Sequence, residues 1–595
     1  MRGAALFALL VALLAAATTT RAHKFVHPLE GIELAAMRRA TKAESPRSLA
    51  FAVTPNTLEA AEGTVTVIWA GLDDPQPDDW IALYTPLPSN LSAIVPVKFK
   101  MCTISPTHLS SGSGSLTFTL INMRDSNSFV FFRGGLTAPV AVAQTDPVEF
   151  ESYDIPMHPH LAITDNPSEM SLMWTSRKAA MPIALLGTST TSVTTTFNAT
   201  TTSYSASDMC GEPATSYGYR PAGLIHTVIF TGLQPRTRYY YVFGDPSYGM
   251  STIYSFVSAP ARGDTSLVRW VVFGDMGRAE RDGSNEYQVY EPPSINTTDR
   301  IIAELKRGDV DFVGHFGDIS YARGYASDWD SFFAQVRPIA SAVPYLIASG
   351  NHERDWNNSG ALFPGYDSGG ECGVPYNARF LMPGSKPTSK AGVRMDGGIV
   401  KDSPWYSANY GPIHLTVMST EHDFSAGSTQ LAWIEQDLAS VDRSVTPWLL
   451  FAGHRPMYID STDVSPVTGD QPVATALRQF VEPLLFKYRA DLTMFGHHHS
   501  YQRSCPSLNL TCITTPQPPN AATPWSYLGP VNVVIGMAGQ SLSQNLIAAQ
   551  PSWVVAVNDQ VYGYARLQAD KTSLAFQFII NNSDQIGDQF TLRHA

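Results

Sequence analysis

The stretch Asp491–Arg503, DLTMFGHHHSYQR, indicates how the largest part of this chain folds. Its apolar run Leu492–Phe495 predicts a short buried strand that ends at a glycine. In extended backbone, side chains two residues apart point to the same side. His497 and His499 are therefore predicted to face one place, and His498 to face away from it. A strand that ends in this way offers two imidazoles to a single site.

Apolar strands that end at a glycine recur through the second half of the chain. The predicted strands are Leu267–Phe273, Asp311–Phe316, Tyr345–Ser349, Trp448–Ala452 and Leu492–Phe495. Helices are predicted near Asp299–Lys306, Asp330–Ala342 and Val473–Tyr488. Strands that alternate with helices indicate an α/β domain, in which ligands bind beyond the carboxyl ends of the strands.

A side chain that can bind a metal follows each of these glycines. Glycine permits a sharp exit from the strand and a close approach of the backbone. The pattern predicts a metal site with the ligands Asp275, Asp318, Asn351, His454, His497 and His499. Such oxygen and nitrogen donors suit hard and borderline cations. Asp318 has two carboxylate oxygens and could bridge two ions, and two ions about 3.5–4 Å apart form the usual clamp for in-line attack at phosphorus.

Five segments of this region resemble, in chain order, the five sequence blocks of the purple acid phosphatases, which are calcineurin-like metallophosphoesterases. These segments are GDMG at 274–277, GDISY at 317–321, GNHE at 350–353, AGH at 452–454 and GHHH at 496–499. The resemblance implies an α/β metallophosphoesterase sandwich in residues 267–595, including a C-terminal segment at about 528–592. It also implies that all seven ligand positions of the family are filled, the seventh by Tyr321.

The same resemblance implies which ions are bound. One ion, Fe3+, would be held by Asp275, Tyr321 and His499, and a divalent ion (Zn2+, Fe2+ or Mn2+) by Asn351, His454 and His497, with Asp318 as the bridge. Tyr321 is the discriminating residue, because a phenol has a pKa near ~10 and binds as phenolate at acidic pH only to a strongly Lewis-acidic ion. The alternative for Tyr321 is an aromatic side chain in the wall of the site.

The reaction expected from this resemblance is hydrolysis of phosphate monoesters by in-line attack of a metal-bound hydroxide. His352 is expected to hydrogen-bond the phosphate and stabilise its developing charge, with a structural loop histidine as the alternative. Asn351 and Arg455 are expected to bind substrate too, although Arg455 could equally be structural. Several family members carry a histidine pair beyond the fourth block, but residues 455–496 contain no histidine. The general acid is left open between His352, Tyr458, a nearby acid and a metal-bound water.

Two all-β units precede the α/β region, so the chain is a multidomain protein. Residues 48–150 are predicted to form an N-terminal β-sandwich accessory domain, because runs such as Thr64–Trp69 alternate as half-buried strands do. Residues 157–262 are predicted to form a second sandwich, because Leu233–Tyr241 resembles the L-x-P-x-T-x-Y-x-Y signature of fibronectin type III domains. The Ser/Thr-rich segment Thr188–Ser207 is expected to be an exposed loop.

The N-terminus, the sequons and the cysteines indicate an exported protein. Residues 1–22 are expected to be a signal peptide, because the apolar run at 4–17 is too short to span a membrane. No later segment reaches that length, and six N-x-S/T sequons fit the secretory route. Cys505 and Cys512 are close enough to close a small loop, while the other three cysteines are unassigned and an odd one could link two chains. The expected location is extracellular or the lumen of the secretory pathway, with the vacuole as an alternative.

The charge and the motifs of the chain limit the classes of substrate that we expect. A net charge of −12 without a long basic run argues against a nucleic-acid or anionic-membrane surface, while a metal site can still attract phosphorylated small molecules, including nucleotides. The N-terminal β-domain and the segments 350–355, 369–376 and 453–458 resemble a large plant-type subgroup, some members of which are described as nucleotide pyrophosphatases or phosphodiesterases. Acid phosphatase is the main hypothesis and nucleotide pyrophosphatase or phosphodiesterase the second. A third hypothesis, an inert exported binding protein, is disfavoured because every ligand is present.

Overall fold

The computed structural model describes residues 49–286, 290–384, 404–520 and 523–594. The predicted signal peptide at 1–22 lies outside these residues. Within them the chain forms two β-sandwiches followed by a larger α/β unit. The multidomain architecture predicted from the sequence is confirmed.

The first unit is a sandwich of two antiparallel sheets. One sheet has the order Ala50–Thr54, Glu62–Ala70, Gly114–Ile121, and the other the order Lys98–Met101, Trp80–Tyr84, Ser128–Arg133, Val140–Gln144. Its short elements are the strand pair Thr57–Leu58 and Glu149–Phe150, the 3-10 turns Leu91–Ala93 and Cys102–Ile104, and the helix His108–Ser111. The predicted alternation is confirmed, because Val65, Val67 and Trp69 pack between the sheets while Ile68 faces outward.

The second unit is also a two-sheet sandwich. One sheet has the order Met157–Ile163, Met170–Ser176, Leu224–Phe230, Thr200–Thr202, and the other contains Thr195–Asn198, Ile183–Gly187, Arg238–Asp245, Gly249–Met250 and Tyr254–Val257. The prediction that Thr188–Ser207 is entirely loop is wrong, because Thr195–Asn198 and Thr200–Thr202 are paired strands. Threonine is β-branched and favours extended backbone, so a threonine-rich run can form edge strands even where it is exposed.

The third unit contains two mixed sheets. The first sheet has the order Tyr345–Ala348, Phe312–Phe316, Val268–Phe273, Gly563–Ala569, Ser573–Ile580, Ile586–Arg593. Its first three strands are parallel, and the three C-terminal strands extend it in antiparallel fashion. The second sheet has the order Tyr406–Tyr410, Ile413–Val417, Trp448–Ala452, Leu492–Phe495, Val531–Ile535, Tyr501–Ser504, Val554–Asn558. Its strands from Ile413–Val417 to Val531–Ile535 are parallel.

The helices of this unit cover and connect the sheets. They are Pro293–Arg307, Ala326–Ala340, Asn351–Arg354, Val374–Arg379, Thr429–Ser440, Asp470–Phe480 and Glu482–Lys487. The segment predicted as one helix at Val473–Tyr488 is two helices. Pro483 lies in the first turn of the second one, where its missing N–H costs nothing, but it cannot continue the helix before it.

Side chains from both sheets and from the second sandwich form one continuous hydrophobic core. Val272 of the first sheet, Leu450 of the second and Trp174 of the sandwich all belong to it. The hydroxyl of Tyr241 in the sandwich donates a 2.6 Å hydrogen bond to the carbonyl of Ser341 in the α/β unit. The second sandwich is therefore part of the same packed body as the α/β unit.

The cysteines form two disulfides. Cys505 pairs with Cys512, as the sequence suggested. Cys210 of the second sandwich pairs with Cys372 of the α/β unit. Cys102 is free and fully buried. The suggestion that an unpaired cysteine links two chains is wrong for this fold, because the Cys102 thiol lies in the core of the first sandwich.

No helix in the described part of the chain combines the length and the apolar character that crossing a membrane requires.

We expect Tyr241→Phe to lower the free energy of unfolding by about 1–2 kcal/mol, because the carbonyl of Ser341 loses its buried donor. Denaturant titration of the full chain measures this change. Tyr240→Phe is the control, since Tyr240 lies on the same strand and is only half-buried. Equal effects of the two substitutions would contradict a role for this hydrogen bond.

Candidate metal centre

The predicted ligands converge where the carboxyl ends of the parallel strands of both sheets meet. Asp275, Asp318 and Asn351 follow strands of the first sheet, and His454 and the Gly496–His499 turn follow strands of the second. The carboxylates and His454 are almost completely buried. The sequence pattern of strand, glycine and ligand therefore gives side chains that lie side by side in the fold.

Several of these residues adopt a left-handed backbone conformation, which is rare outside glycine. The φ angle is 58° at Asp275, 49° at Asp318, 50° at Tyr321 and 68° at His497. Such conformations cost about 1–3 kcal/mol each and cluster at functional sites, where the surrounding structure enforces them. Four of the seven residues predicted to bind metal share this conformation, which twelve other non-glycine residues of the described chain also adopt.

Glycine is required beside the ligands because they pack against the backbone. A Cβ at Gly350 would overlap the carboxylate of Asp318, and one at Gly496 would overlap that of Asp275. Backbone atoms also lie close: Asp318 N is 2.5 Å from the Cβ position at Gly350, and Phe316 O is 3.0 Å from that at Gly496. The glycines of these turns therefore make room for the buried carboxylates.

Two groups of ligand atoms share Asp318. Asp318, His454 and His497 bring their ligand atoms within 4.8 Å of one another, and Asp275, Asp318 and His499 do the same. One carboxylate that belongs to two such groups is the arrangement of a binuclear site. The division also separates His497 from His499, as the sequence analysis expected.

Asn351 and Tyr321 complete the two groups. Asn351 Oδ1 lies 2.9 Å from His454 Nε2 and 3.0 Å from His497 Nδ1. The Tyr321 hydroxyl lies 3.3 Å from Asp275 Oδ1 and 3.2 Å from His499 Nε2. Tyr321 thus points its oxygen at the second group instead of presenting only a ring to the wall.

Hydrogen bonds behind the ligands fix their orientation. His454 Nδ1 lies 3.3 Å from the carbonyl of Phe316, and His499 Nδ1 lies 2.7 Å from that of Ser541. In both rings, Nε2 is left to face the site. Partners of this kind set the tautomer and the ring orientation of metal-binding histidines.

Two acidic side chains that the sequence did not single out as support also hold the site. Asp367 Oδ2 accepts a 3.0 Å hydrogen bond from Asn351 Nδ2, which turns the amide oxygen toward the site. Glu353 accepts backbone hydrogen bonds from Asp318 (3.0 Å), Ile319 (2.8 Å) and Gly350 (2.9 Å). One buried carboxylate therefore ties two ligand turns together. Burial, with the charge of Asp318, raises the pKa of Glu353 to about 8.

Electrostatics of the buried groups favour a cation at the centre. Burial opposes ionisation of Asp318, but the charge of His454 holds the pKa of Asp318 well below its usual value. Burial lowers the pKa of His454, but the charges of Asp318 and Asp275 dominate and raise it to about 10. Burial and the same two carboxylates raise the pKa of Tyr321 well above its usual value, so its phenolate needs a strong cation beside it.

His352 lies on the open side of the site. Its backbone N–H donates to Asp318 Oδ1 at 3.0 Å, its Nε2 lies 3.7 Å from Asp318 Oδ2, and its ring packs on Tyr321. Its side chain is 16% exposed, and those of His497 and His499 are 20% and 21% exposed. These three imidazoles are the most exposed of the residues predicted for the site.

Arg455 is buried beneath the site. Its guanidinium binds Glu421 and Asp355 at 3.0 Å each, and its Nη1 lies 3.2 Å from His497 Nε2. These contacts favour the structural alternative for Arg455, which supports a ligand from behind. Tyr458, one of the candidate general acids, donates its hydroxyl hydrogen bond to buried Glu482 instead.

The turn after strand Val531–Ile535 was missed by sequence reasoning. The backbone N–H of Gln540 donates to the carbonyl of Asp275 at 3.0 Å, and Ser543 Oγ accepts from the backbone N–H of His499 at 3.0 Å. This strand also ends at a glycine, which was the available signal. No metal-binding side chain follows it directly, so the pattern was not recognised. His498 faces away from the ligands, as expected, and bonds to Asn545 at 2.9 Å.

The donor set fits the ions expected for it. The site offers carboxylate, amide, phenol and imidazole donors, and the buried carboxylates of Asp275 and Asp318 face three imidazoles. Oxygen and nitrogen donors of this type suit Fe3+, Zn2+ and Mn2+. Buried carboxylates that share one space are stabilised when a cation lies between them.

Fold and site define a calcineurin-like metallophosphoesterase, and the family model described as calcineurin-like phosphoesterase matches residues 268–501. Three further models match other segments: the Fn3-like domain from purple acid phosphatase at 52–152, the purple acid phosphatase N-terminal domain at 156–258, and the iron/zinc purple acid phosphatase-like protein C at 529–589. The chain belongs to the purple acid phosphatase family. The Fn3-like description falls on the first sandwich, whereas the tyrosine-rich signature lies in the second.

Two related proteins and one solved structure each align with more than half of this chain. An Arabidopsis thaliana protein named probable inactive purple acid phosphatase 27 is 38% identical and covers 87% of this chain and 85% of its own length. A Hordeum vulgare protein named nucleotide pyrophosphatase/phosphodiesterase is 39% identical over 57% of this chain and 86% of its own length. A solved purple acid phosphatase from yellow lupin seeds superposes with a TM-score of 0.83 at 34% identity, covering 92% of this chain and 96% of its own.

We expect Gly350→Ala to abolish stable metal binding, because the added Cβ overlaps the Asp318 carboxylate. Elemental analysis of the purified chain measures the loss. Gly365→Ala is the control, because a Cβ there makes only ordinary contacts, the nearest at 3.6 Å. Full metal content in Gly350→Ala would show that the carboxylate does not occupy this position.

Proposed function

We propose that this chain is an active binuclear-metal acid phosphatase that hydrolyses phosphate monoesters. The observation that supports activity is the pair of ligand groups that share Asp318. Relatives named probable inactive align along most of the chain. In this chain, however, every ligand position expected for the family is filled, and the side chains converge.

Each residue has a distinct role in this proposal. Asp275, Tyr321 and His499 would hold Fe3+, Asn351, His454 and His497 would hold Zn2+, Fe2+ or Mn2+, and Asp318 would bridge them. When bound, such a pair supplies Lewis acidity that offsets phosphate charge and lowers the pKa of water. His352, on the open side, would hydrogen-bond the phosphate, and Asn351, whose Oδ1 lies 3.0 Å from His497 Nδ1, would also contact the substrate. The arginine proposed to bind substrate, Arg455, supports His497 from below.

A second candidate activity is nucleotide pyrophosphatase or phosphodiesterase at the same site. The similarity to the barley protein of that name supports it. Both activities break a phosphorus–oxygen bond by in-line attack and need the same metal pair. They differ in the size of the leaving group that the open side of the site must accept.

We also propose that the chain is secreted or resides in the lumen of the secretory pathway, including the vacuole. The two disulfides support an oxidising compartment. Among the sequons, Asn90, Asn198, Asn296 and Asn509 are exposed, whereas Asn581 is buried. The exposed sequons are the ones available to carry glycans.

We expect Asp318→Asn to reduce hydrolysis of an aryl phosphate by more than about 100-fold. Substitution of a residue that only supports a ligand typically lowers activity by about 10–100-fold, and Asp318 belongs to both ligand groups, so its substitution should have a larger effect. Asp437→Asn is the matched control. Asp437 is a carboxylate that bonds Thr416 (2.6 Å) and His414 (3.1 Å) away from the centre. Steady-state kinetics and metal content are measured on both variants.

Three outcomes separate the hypotheses. Turnover of the aryl phosphate above that of ATP and of a phosphodiester supports the monoesterase, and the reverse order supports the second activity. Two bound ions without turnover of any of these substrates would support the inert binding protein. Retained activity in Asp318→Asn would refute the proposed centre.

Glycan analysis tests the proposed route. We expect Asn198→Gln to remove one glycan from the chain expressed in a secreting eukaryotic cell, because Asn198 is exposed. Asn581→Gln should remove none, because this side chain is 1% exposed and its amide donates to Thr297 Oγ1 at 2.7 Å. Intact-mass spectrometry measures both, and absence of any glycan on the parent chain would contradict the route.

A further inference from the structure

The segment that follows the ligand Asp275 has no regular structure of its own. Residues 274–284 form neither helix nor strand, yet Asp275 and Arg278 are fully buried and Glu280 is nearly so. An irregular buried segment must find partners for its polar groups in other elements, and ordering it costs conformational entropy. The position of Asp275 therefore depends on what holds this segment.

The α/β unit holds the beginning of the segment. The backbone N–H of Asp275 donates to the carbonyl of Gly317 at 3.1 Å. The backbone N–H of Ala279 donates to Gln335 Oε1 at 3.0 Å. From Glu280 onward, contacts with the N-terminal sandwich are added to those with the α/β unit, such as the ion pair of Arg281 Nη2 with Asp299 Oδ1 at 2.6 Å.

Both sheets of the N-terminal sandwich use an edge strand to bind the end of the segment. In the edge strand Lys98–Met101, Phe99 exchanges two backbone hydrogen bonds with Asn285, at 2.9 and 2.8 Å. In the edge strand of the other sheet, the backbone N–H of Thr119 donates to Asp282 Oδ2 at 2.7 Å. An unpaired sheet edge is a ready template for another piece of chain, and here that piece belongs to the same molecule.

A buried lysine carries the charge at this contact. Lys98 Nζ lies 2.5 Å from Glu280 Oε2 and 3.2 Å from Asp282 Oδ2, and its side chain is only 3% exposed. Lys100 Nζ lies 3.8 Å from Asp282 Oδ1, and Ser331 Oγ donates to Glu280 Oε1 at 3.2 Å. Removal of one member of a buried ion pair leaves its partner as an uncompensated buried charge.

We propose that Lys98 is a positioning residue for the metal centre: the N-terminal sandwich holds the segment after Asp275 through this lysine and thereby retains the ion bound by Asp275, Tyr321 and His499. Without Lys98, the carboxylates of Glu280 and Asp282 lose their closest cation and draw the segment toward water. Asp275 lies at the start of that segment and loses its fixed position. The inference rests on the proposed function only in requiring that the centre binds Fe3+.

A second ion pair between the same two units provides a matched control. Arg124 Nη2 of the sandwich lies 2.6 Å from Asp330 Oδ2 of helix Ala326–Ala340, and both side chains are buried. Arg124→Met also removes the closest cation from a buried carboxylate, leaving Arg379 Nη2 at 4.0 Å, but this carboxylate is not on the segment after Asp275. The two variants therefore separate loss of an interdomain ion pair from loss of support for the ligand.

The experiment follows the release of iron from the full-length, metal-loaded chain in excess EDTA. The absorption band of the phenolate–Fe3+ bond reports the ion at Tyr321, and elemental analysis reports both ions. We expect Lys98→Met to release iron at least about 10-fold faster than the parent chain, in the range found for residues that support a ligand. We expect Arg124→Met to stay within about twofold, because neither Arg124 nor Asp330 lies on the segment that carries Asp275.

The remaining outcomes either support or overturn the positioning role of Lys98. If Lys98→Met does not fold, Glu280→Gln, which removes the other charge of the same pair, is measured with the same expectation. Equal rates of iron release in the two single variants would overturn the positioning role and leave the proposed function intact. Failure of the parent chain to bind any Fe3+ would overturn the proposed function and this inference together.

Discussion

The carboxylate of Asp318 is the element on which the rest of the structure depends. It is 1% exposed and belongs to both groups of ligand atoms. Two buried carboxylates and several imidazoles can share so small a space only if cations offset the charge, or if protons are held in their place. The two sheets supply opposite sides of this arrangement, so neither sheet alone forms the site. The strained backbone at the ligands and the glycines beside them follow from the same requirement for close approach.

The convergence of the expected ligands could be predicted because its signal is local. A strand, a glycine and a donor side chain lie within a few residues, and the topology of an α/β sheet brings such strand ends together. Alternation in extended chain predicted only that His497 and His499 face one place, and their assignment to two different ions came from the family resemblance. The strand Trp448–Ala452 was predicted to the residue, since a buried parallel strand is a continuous apolar run.

What failed depended on contacts between distant parts of the chain. Glu353 and Asp367 look like ordinary loop acids, and their roles appear only when the turns they bond are folded beside them. Arg455 follows a ligand in sequence, which suggested substrate binding, but burial pairs it with Glu421. Lys98 gave no functional signal, because a lysine in an edge strand ordinarily faces water. The threonine strands of the second sandwich were missed because their composition also suits loops.

The dependence of the Asp275 segment on the N-terminal sandwich has a consequence for biosynthesis. Domains generally fold as units, in the order in which they leave the ribosome. We therefore expect the edge strands Lys98–Met101 and Gly114–Ile121 to form while the segment 274–285 is still untranslated. The sandwich then acts as an internal template, against which the first ligand turn is laid down before the last histidines have been synthesised. We expect assembly of the centre to follow the order of synthesis, beginning on a scaffold that contributes no ligand.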